Sequence, residues 1–101
     1  MTSPKMVTRE SSSQYRIVDL RVTGLVVSET CLGIGKQTNG HSHRNEEIYY
    51  IVSGQGMLRR DTESTVLISR SIIIIKPDEY HQVINTGEKE LIFLTIWKEE
   101  K

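Results

Sequence analysis

Short apolar segments of four to eight residues, separated by polar turn chemistry, set the pattern of this chain. The alternation is clearest in Glu47-Ile48-Tyr49-Tyr50-Ile51-Val52-Ser53. There Glu47, Tyr49 and Ile51 fall on one face of an extended strand, and Ile48, Tyr50 and Val52 on the other. The same reading predicts strands near Tyr15–Val22, Leu25–Leu32, His41–His43, Met57–Arg60, Thr65–Ile68, Ile72–Ile75, His81–Asn85 and Leu91–Trp97. Ser53-Gly54-Gln55-Gly56 and Asn85-Thr86-Gly87-Glu88 carry hairpin-type turn residues, and Asn39-Gly40 marks another turn. Many short strands at regular spacing predict an all-β, antiparallel sandwich or barrel. Ile72–Ile75 and Leu91–Leu94 lack polar alternation, so both of their faces are expected to be covered, one by the interior and one by a partner surface.

Composition strengthens the strand reading. The 101 residues include no alanine, while isoleucine, valine and threonine together supply 29. Alanine is the strongest helix former, and β-branched residues suit a pleated sheet. The length fits one domain. A chain this short buries only about 60–70% of its unfolded surface, which makes a homodimer a useful supplement. Met1–Ser13 is polar and is expected to be a flexible arm, or a strand that orders only against a partner, preceding a domain over 14–101.

Charge and cysteine content exclude several functions. Thirteen basic residues balance thirteen acidic ones, which argues against a nucleic-acid or anionic-membrane partner. Neither a signal peptide nor a run long enough to span a bilayer is present, so a cytoplasmic protein is expected. Cys31 is the sole cysteine, which rules out an intrachain disulfide and a Cys-x-x-Cys metal site; a small buried hydrophobe is expected there.

Chemistry concentrates between Gly35 and Gly54. His41 and His43 stand two apart, on one side of an extended strand, and Glu47 opens the strand that follows. Two imidazoles and a carboxylate on a β scaffold suit a divalent transition metal. By parity Tyr49 and Ile51 should line the pocket beside Glu47, and Val83 and Asn85 should point inward with His81. Lys36 and Arg44 flank the site, where they are expected to be solvated, the alternative being contact with an anionic substrate; the charged Arg59-Arg60-Asp61 run is expected to be surface charge without a role.

The spacing Gly35-x5-His41-x-His43-x3-Glu47-x6-Gly54 resembles the first motif of the cupin family, and His81-x3-Asn85 resembles the end of its second. In that second motif Arg70 and Asp78 stand where glycines are usual, and Lys76 stands where a proline precedes Pro77. The resemblance covers roughly residues 25 to 97. It implies a double-stranded β-helix, a jelly-roll-like barrel, holding one metal through His41, His43, Glu47 and His81. The ligand types suit Fe, Mn, Ni, Cu or Zn. The resemblance further implies an oxygenase or a sugar isomerase-like enzyme acting on a small oxygenated metabolite. The alternative is a module that binds a small molecule without turning it over. No second carboxylate is expected in the pocket, so acid–base catalysis would fall to Tyr49, a metal-bound hydroxide or the substrate.

Overall fold

A computed structural model describes residues 5–11, 15–40 and 42–99. Its nine strands are β1 (Lys5–Ser11), β2 (Tyr15–Val22), β3 (Leu25–Leu32), β4 (Glu47–Ser53), β5 (Gly56–Arg60), β6 (Ser64–Leu67), β7 (Ile72–Ile75), β8 (His81–Asn85) and β9 (Leu91–Lys98). There is no helix among the described residues. All strand pairs are antiparallel, in a six-stranded sheet ordered β1-β2-β3-β9-β4-β7 and a three-stranded sheet ordered β6-β5-β8. The all-β, antiparallel arrangement is the one the strand pattern predicted, and the architecture is the double-stranded β-helix that the family resemblance implied.

The core lies between the two sheets. Ile51, Ile73, Ile75 and Phe93 of the large sheet meet Leu58, Leu67 and Val83 of the small one. Each is an alternate residue of its strand, so burial follows the two-residue period. Burial in β4 confirms the parity: Glu47, Tyr49 and Ile51 are buried, and Ile48 and Val52 are exposed. In β8, His81, Val83 and Asn85 are buried as expected. Cys31 is also buried.

Three expectations are corrected. Neither glycine-rich turn closes a hairpin: β4 and β5 belong to different sheets, as do β8 and β9, so both turns carry the chain from one sheet to the other. Gly54 (φ 98°) is required there, because a side chain would meet the carbonyl of Glu90 at 2.7 Å. Asn85 holds the second turn by donating to the carbonyls of Leu32, Gly33 and Lys89, and it accepts from the Gly87 amide. The third correction concerns His41–His43. Ser42 and His43 lie in a loop, because residues 39–46 contain no apolar side chain to bury; His41 lies outside the described residues. The outer face of β7 is left uncovered within the chain, with Ile72 and Ile74 66% and 54% exposed, so the cover expected for that face is not supplied by a strand of the same chain among the described residues. Within the stretch expected as an arm, Lys5–Ser11 pair along β2 of the same chain, which satisfies the free edge of that strand.

Among the described residues, Arg70 (φ 73°) and Asp78 (φ 63°) are the non-glycine residues with positive φ. These are the two positions where the resembled motif carries glycine. The Arg70 turn is held by its amide on the Ile51 carbonyl at 2.7 Å and by Ser71 on the Ile68 carbonyl at 3.0 Å. A left-handed conformation costs a non-glycine residue about 1–2 kcal/mol, while glycine costs about 0.5–1 kcal/mol in the unfolded chain. Arg70→Gly is therefore expected to raise stability by about 0.5–1 kcal/mol in urea denaturation. An unchanged or lower midpoint would show that the arginine side chain compensates for its backbone.

Candidate metal centre

Loop and strand ends bring the site together. Glu47 is the first residue of β4 and His81 the first of β8, while His43 sits on the loop leading into β4. That loop is fastened to the small sheet before it reaches the site. Thr38 donates its amide to the Val83 carbonyl at 2.9 Å, and Asn85 donates to Lys36. It is fastened again beyond the site, where the Asp78 amide donates to the His43 carbonyl at 2.6 Å. The left-handed turn at Asp78 thus joins the two halves of the motif. A Cβ at Gly40 would fall onto the outer end of the exposed Tyr80 ring, which would have to swing aside.

His43, Glu47 and His81 each present a ligand atom, all within 4.8 Å of one another. His43 Nε2 lies 2.9 Å from Glu47 Oε1, and His81 Nε2 lies 3.4 Å from the same oxygen. The imidazole rings meet edge to face at 4.8 Å. Each ring is oriented by its other nitrogen: Nδ1–H of His43 donates to the Asn45 carbonyl at 3.1 Å, and Nδ1–H of His81 to the Glu79 carbonyl at 2.9 Å. A neutral imidazole so tethered turns a lone pair, not a proton, toward Glu47. Two nitrogen lone pairs and a carboxylate then converge, and only a cation between them satisfies all three. The two separations from the Glu47 oxygen, 2.9 and 3.4 Å, are also about those that ligands roughly 2.1 Å from one ion require. The residues therefore fit a divalent metal.

Electrostatics agree. Burial works against a charged His81, yet the hydrogen bonds to Glu47 and to the Glu79 carbonyl, with the Glu47 charge, outweigh it and raise the His81 pKa. Without a metal, a proton takes the cation's place.

A second tier of residues holds His81. Arg60 donates to both carboxylate oxygens of Glu79 at 3.0 Å and to the Ile74 carbonyl at 2.9 Å. Glu79 also accepts from the Lys76 amide at 3.1 Å, and Asp61 accepts from the Tyr80 amide at 3.3 Å. The Arg60 guanidinium is the main reason the Glu79 carboxyl stays below the usual range. The Arg59-Arg60-Asp61 run is therefore not idle surface charge: Arg60 and Asp61 pin the turn that carries His81. A pairing across nineteen residues leaves no periodic trace in the sequence.

Beside the cluster is a cavity of about 360 Å³. His43, Glu47 and Tyr49 form one side, as the strand parity predicted for Tyr49. The Tyr49 ring stacks on Phe93 at 5.5 Å and meets His81 edge-on at 5.9 Å. Facing residues that sequence reasoning missed include Tyr15, Thr30, Thr95 and Trp97. Phe93, Thr95 and Trp97 share one parity on β9, which was the available signal. Lys36 and Arg44 are exposed and do not line the cavity. Asp19 is a buried carboxylate, 3.8 Å from Arg21, and is not part of the lining either.

Comparison with known proteins agrees with this geometry. A family model described as "Cupin domain" matches residues 29–97. The chain is 33% identical over 69 residues to an uncharacterized protein of Methanocaldococcus jannaschii, which covers 67% of this chain and 55% of that protein. It thus spans little more than half the length of that relative. A cupin protein of Bacteroides fragilis is 31% identical and superposes with a TM-score of 0.77 over 98% of this chain and 86% of its own. A Thermotoga maritima protein described as a predicted oxalate decarboxylase has a TM-score of 0.79 over 97% of this chain and 93% of its own. At 20% identity that likeness is one of fold. With the matched model spanning both halves of the site, this chain belongs to the cupin family.

Proposed function

We propose that the protein is a metal-dependent enzyme acting on a small oxygenated metabolite, with the metal held by His43, Glu47, His81 and His41. The observation that carries this reading is the convergence of three acceptors with both Nδ1–H groups committed elsewhere. His41 enters through the motif spacing alone. A bound divalent ion would act as a Lewis acid toward a substrate oxygen or as a centre for dioxygen chemistry, and the ligand set does not choose between them. The chain's own residues shape the rest. Tyr49 is the acid–base candidate because it lines the cavity next to Glu47, and its stacking on Phe93 fixes the ring. Trp97, Phe93 and Ile17 give apolar walls. Protein reconstituted with each metal should consume oxygen or isomerise a sugar within a substrate panel, and Tyr49→Phe should slow that turnover while leaving metal content unchanged. Saturable ligand binding with no turnover across the panel would instead identify a binding module.

We also propose a homodimer formed through the outer face of β4 and β7. Ile48 pairs with Ile74 and Tyr50 with Ile72, so exposed Ile48, Ile72 and Ile74 form one continuous apolar strip at the sheet edge. A second copy would cover the strip isologously. Light scattering should return about twice 11.6 kDa, and Ile74→Lys should reduce it to the single-chain mass. A single-chain mass for the unmodified protein at micromolar concentration would overturn the proposal.

A further inference from the structure

We infer that the cavity selects an uncharged, hydroxyl-bearing small molecule with an apolar face, and that it discriminates against dicarboxylates. The inference rests on the metal reading above and adds the substrate class to it.

Charge is the first ground. Among the described residues, no lysine or arginine lines the cavity, and Glu47 is its one carboxylate. A divalent ion beside Glu47 and neutral imidazoles leaves one net positive charge. An uncharged ligand, or one that has lost a single hydroxyl proton to solvent, keeps the site at or above neutrality. A dianion would leave a net negative charge in a half-open cavity whose lining holds no cationic side chain to answer it, which disfavours it relative to a neutral ligand. Lys36 and Arg44 are outside the lining.

The walls are the second ground. Thr30 and Thr95 are 4% and 6% exposed, and both line the cavity. Thr95 lies opposite Tyr49 in the β4–β9 pairing, so its hydroxyl belongs to the wall adjoining the metal cluster. Buried threonines among aromatic neighbours offer short, neutral hydrogen-bonding groups that match substrate hydroxyls. Asn39 and Asn45 at the loop side extend the same neutral polarity. Trp97 and Tyr15 add flat apolar surface, which suits a ring or carbon skeleton rather than a compact diacid.

Trp97 also supplies the readout, because it is the only tryptophan in the chain and it lines the cavity. Metal-loaded protein would be titrated with cis-1,2-cyclohexanediol and, at equal ionic strength, with malonate, following Trp97 emission. The diol should change the emission saturably at a concentration at least about tenfold below that needed by malonate. Thr95→Val and Thr30→Val should each weaken diol binding about fivefold or more, since each leaves a ligand hydroxyl unpaired. Malonate binding as tightly as the diol would overturn the inference, as would diol binding indifferent to both substitutions. Metal content measured on the same samples separates the two failures. Preference for malonate with metal bound overturns the substrate class and leaves the metal centre standing. Diol binding in protein that holds no metal overturns the metal reading and supports the selectivity of the cavity.

Discussion

His81→Ala is expected to lower metal affinity by more than about 100-fold while leaving the β-sandwich folded. The imidazole is 1% exposed, and Nε2 lies 3.4 Å from the Glu47 oxygen that also faces His43. Removing a partner one shell further out typically costs 10–100-fold, and removing a ligand should cost more. The fold survives because the core cluster of Leu58, Leu67, Val83, Ile51 and Ile75 is apolar and does not include His81. The loss of the hydrogen bond to Glu79 should cost about 1 kcal/mol. The substitution also has a signature in metal-free protein. A raised His81 pKa means that the charged ring stabilises the fold fully below its ordinary value of about 6.5. That contribution is lost as pH rises through the elevated folded-state value. Thermal melts of metal-free protein should therefore lose stability across this window, and His81→Ala should remove that part of the dependence. Metal binding follows the opposite sign, strengthening with pH as the ring gives up its proton. A variant that keeps wild-type metal affinity would remove His81 from the ligand set.

The second large effect is expected at a residue that touches no ligand. Arg60→Met keeps the length and much of the apolar stem of the side chain but removes the guanidinium that grips Glu79 through two 3.0 Å hydrogen bonds. Glu79 in turn fixes His81 through its carbonyl at 2.9 Å. Loosening that turn should lower metal affinity about 10–100-fold, the usual cost of losing an outer partner. Arg60→Lys should restore only part of the loss, because an ammonium cannot make the two-pronged contact. A merely structural Arg60 would shift the melting temperature of metal-free protein without changing metal affinity measured well below it. That pattern would contradict its positioning role.

Strand parity carried most of what the sequence revealed. Glu47, Tyr49 and Ile51 had to share a face because the side-chain period of a strand is two, and the structure buries all three. The three-residue gap from His43 to Glu47 likewise brought an imidazole and a carboxylate within 2.9 Å, although through a loop rather than a strand. What local chemistry could not encode was which sheet a strand joins after its turn. Gly54 and Gly56 mark a bend equally well whether β5 folds back on β4 or crosses to β8. The Arg60–Glu79 clasp was hidden for the same reason, since its partners meet only through the pairing of β5 with β8. Arg70 and Asp78 are a different case: both adopt the glycine-like conformation their positions demand despite their side chains. Tertiary hydrogen bonds, such as Asp78 to the His43 carbonyl, override the residue preference there.

Elemental analysis after metal reconstitution tests the central claim most directly. Protein stripped of metal, exposed in turn to iron, manganese, nickel, copper and zinc and then desalted should retain one divalent ion per chain with at least one of them. The same treatment of Glu47→Gln should leave little, because the amide supplies a weaker, uncharged donor between the two imidazoles. Retention of no ion by the unmodified chain under any of these conditions would contradict a metal centre at His43, Glu47 and His81.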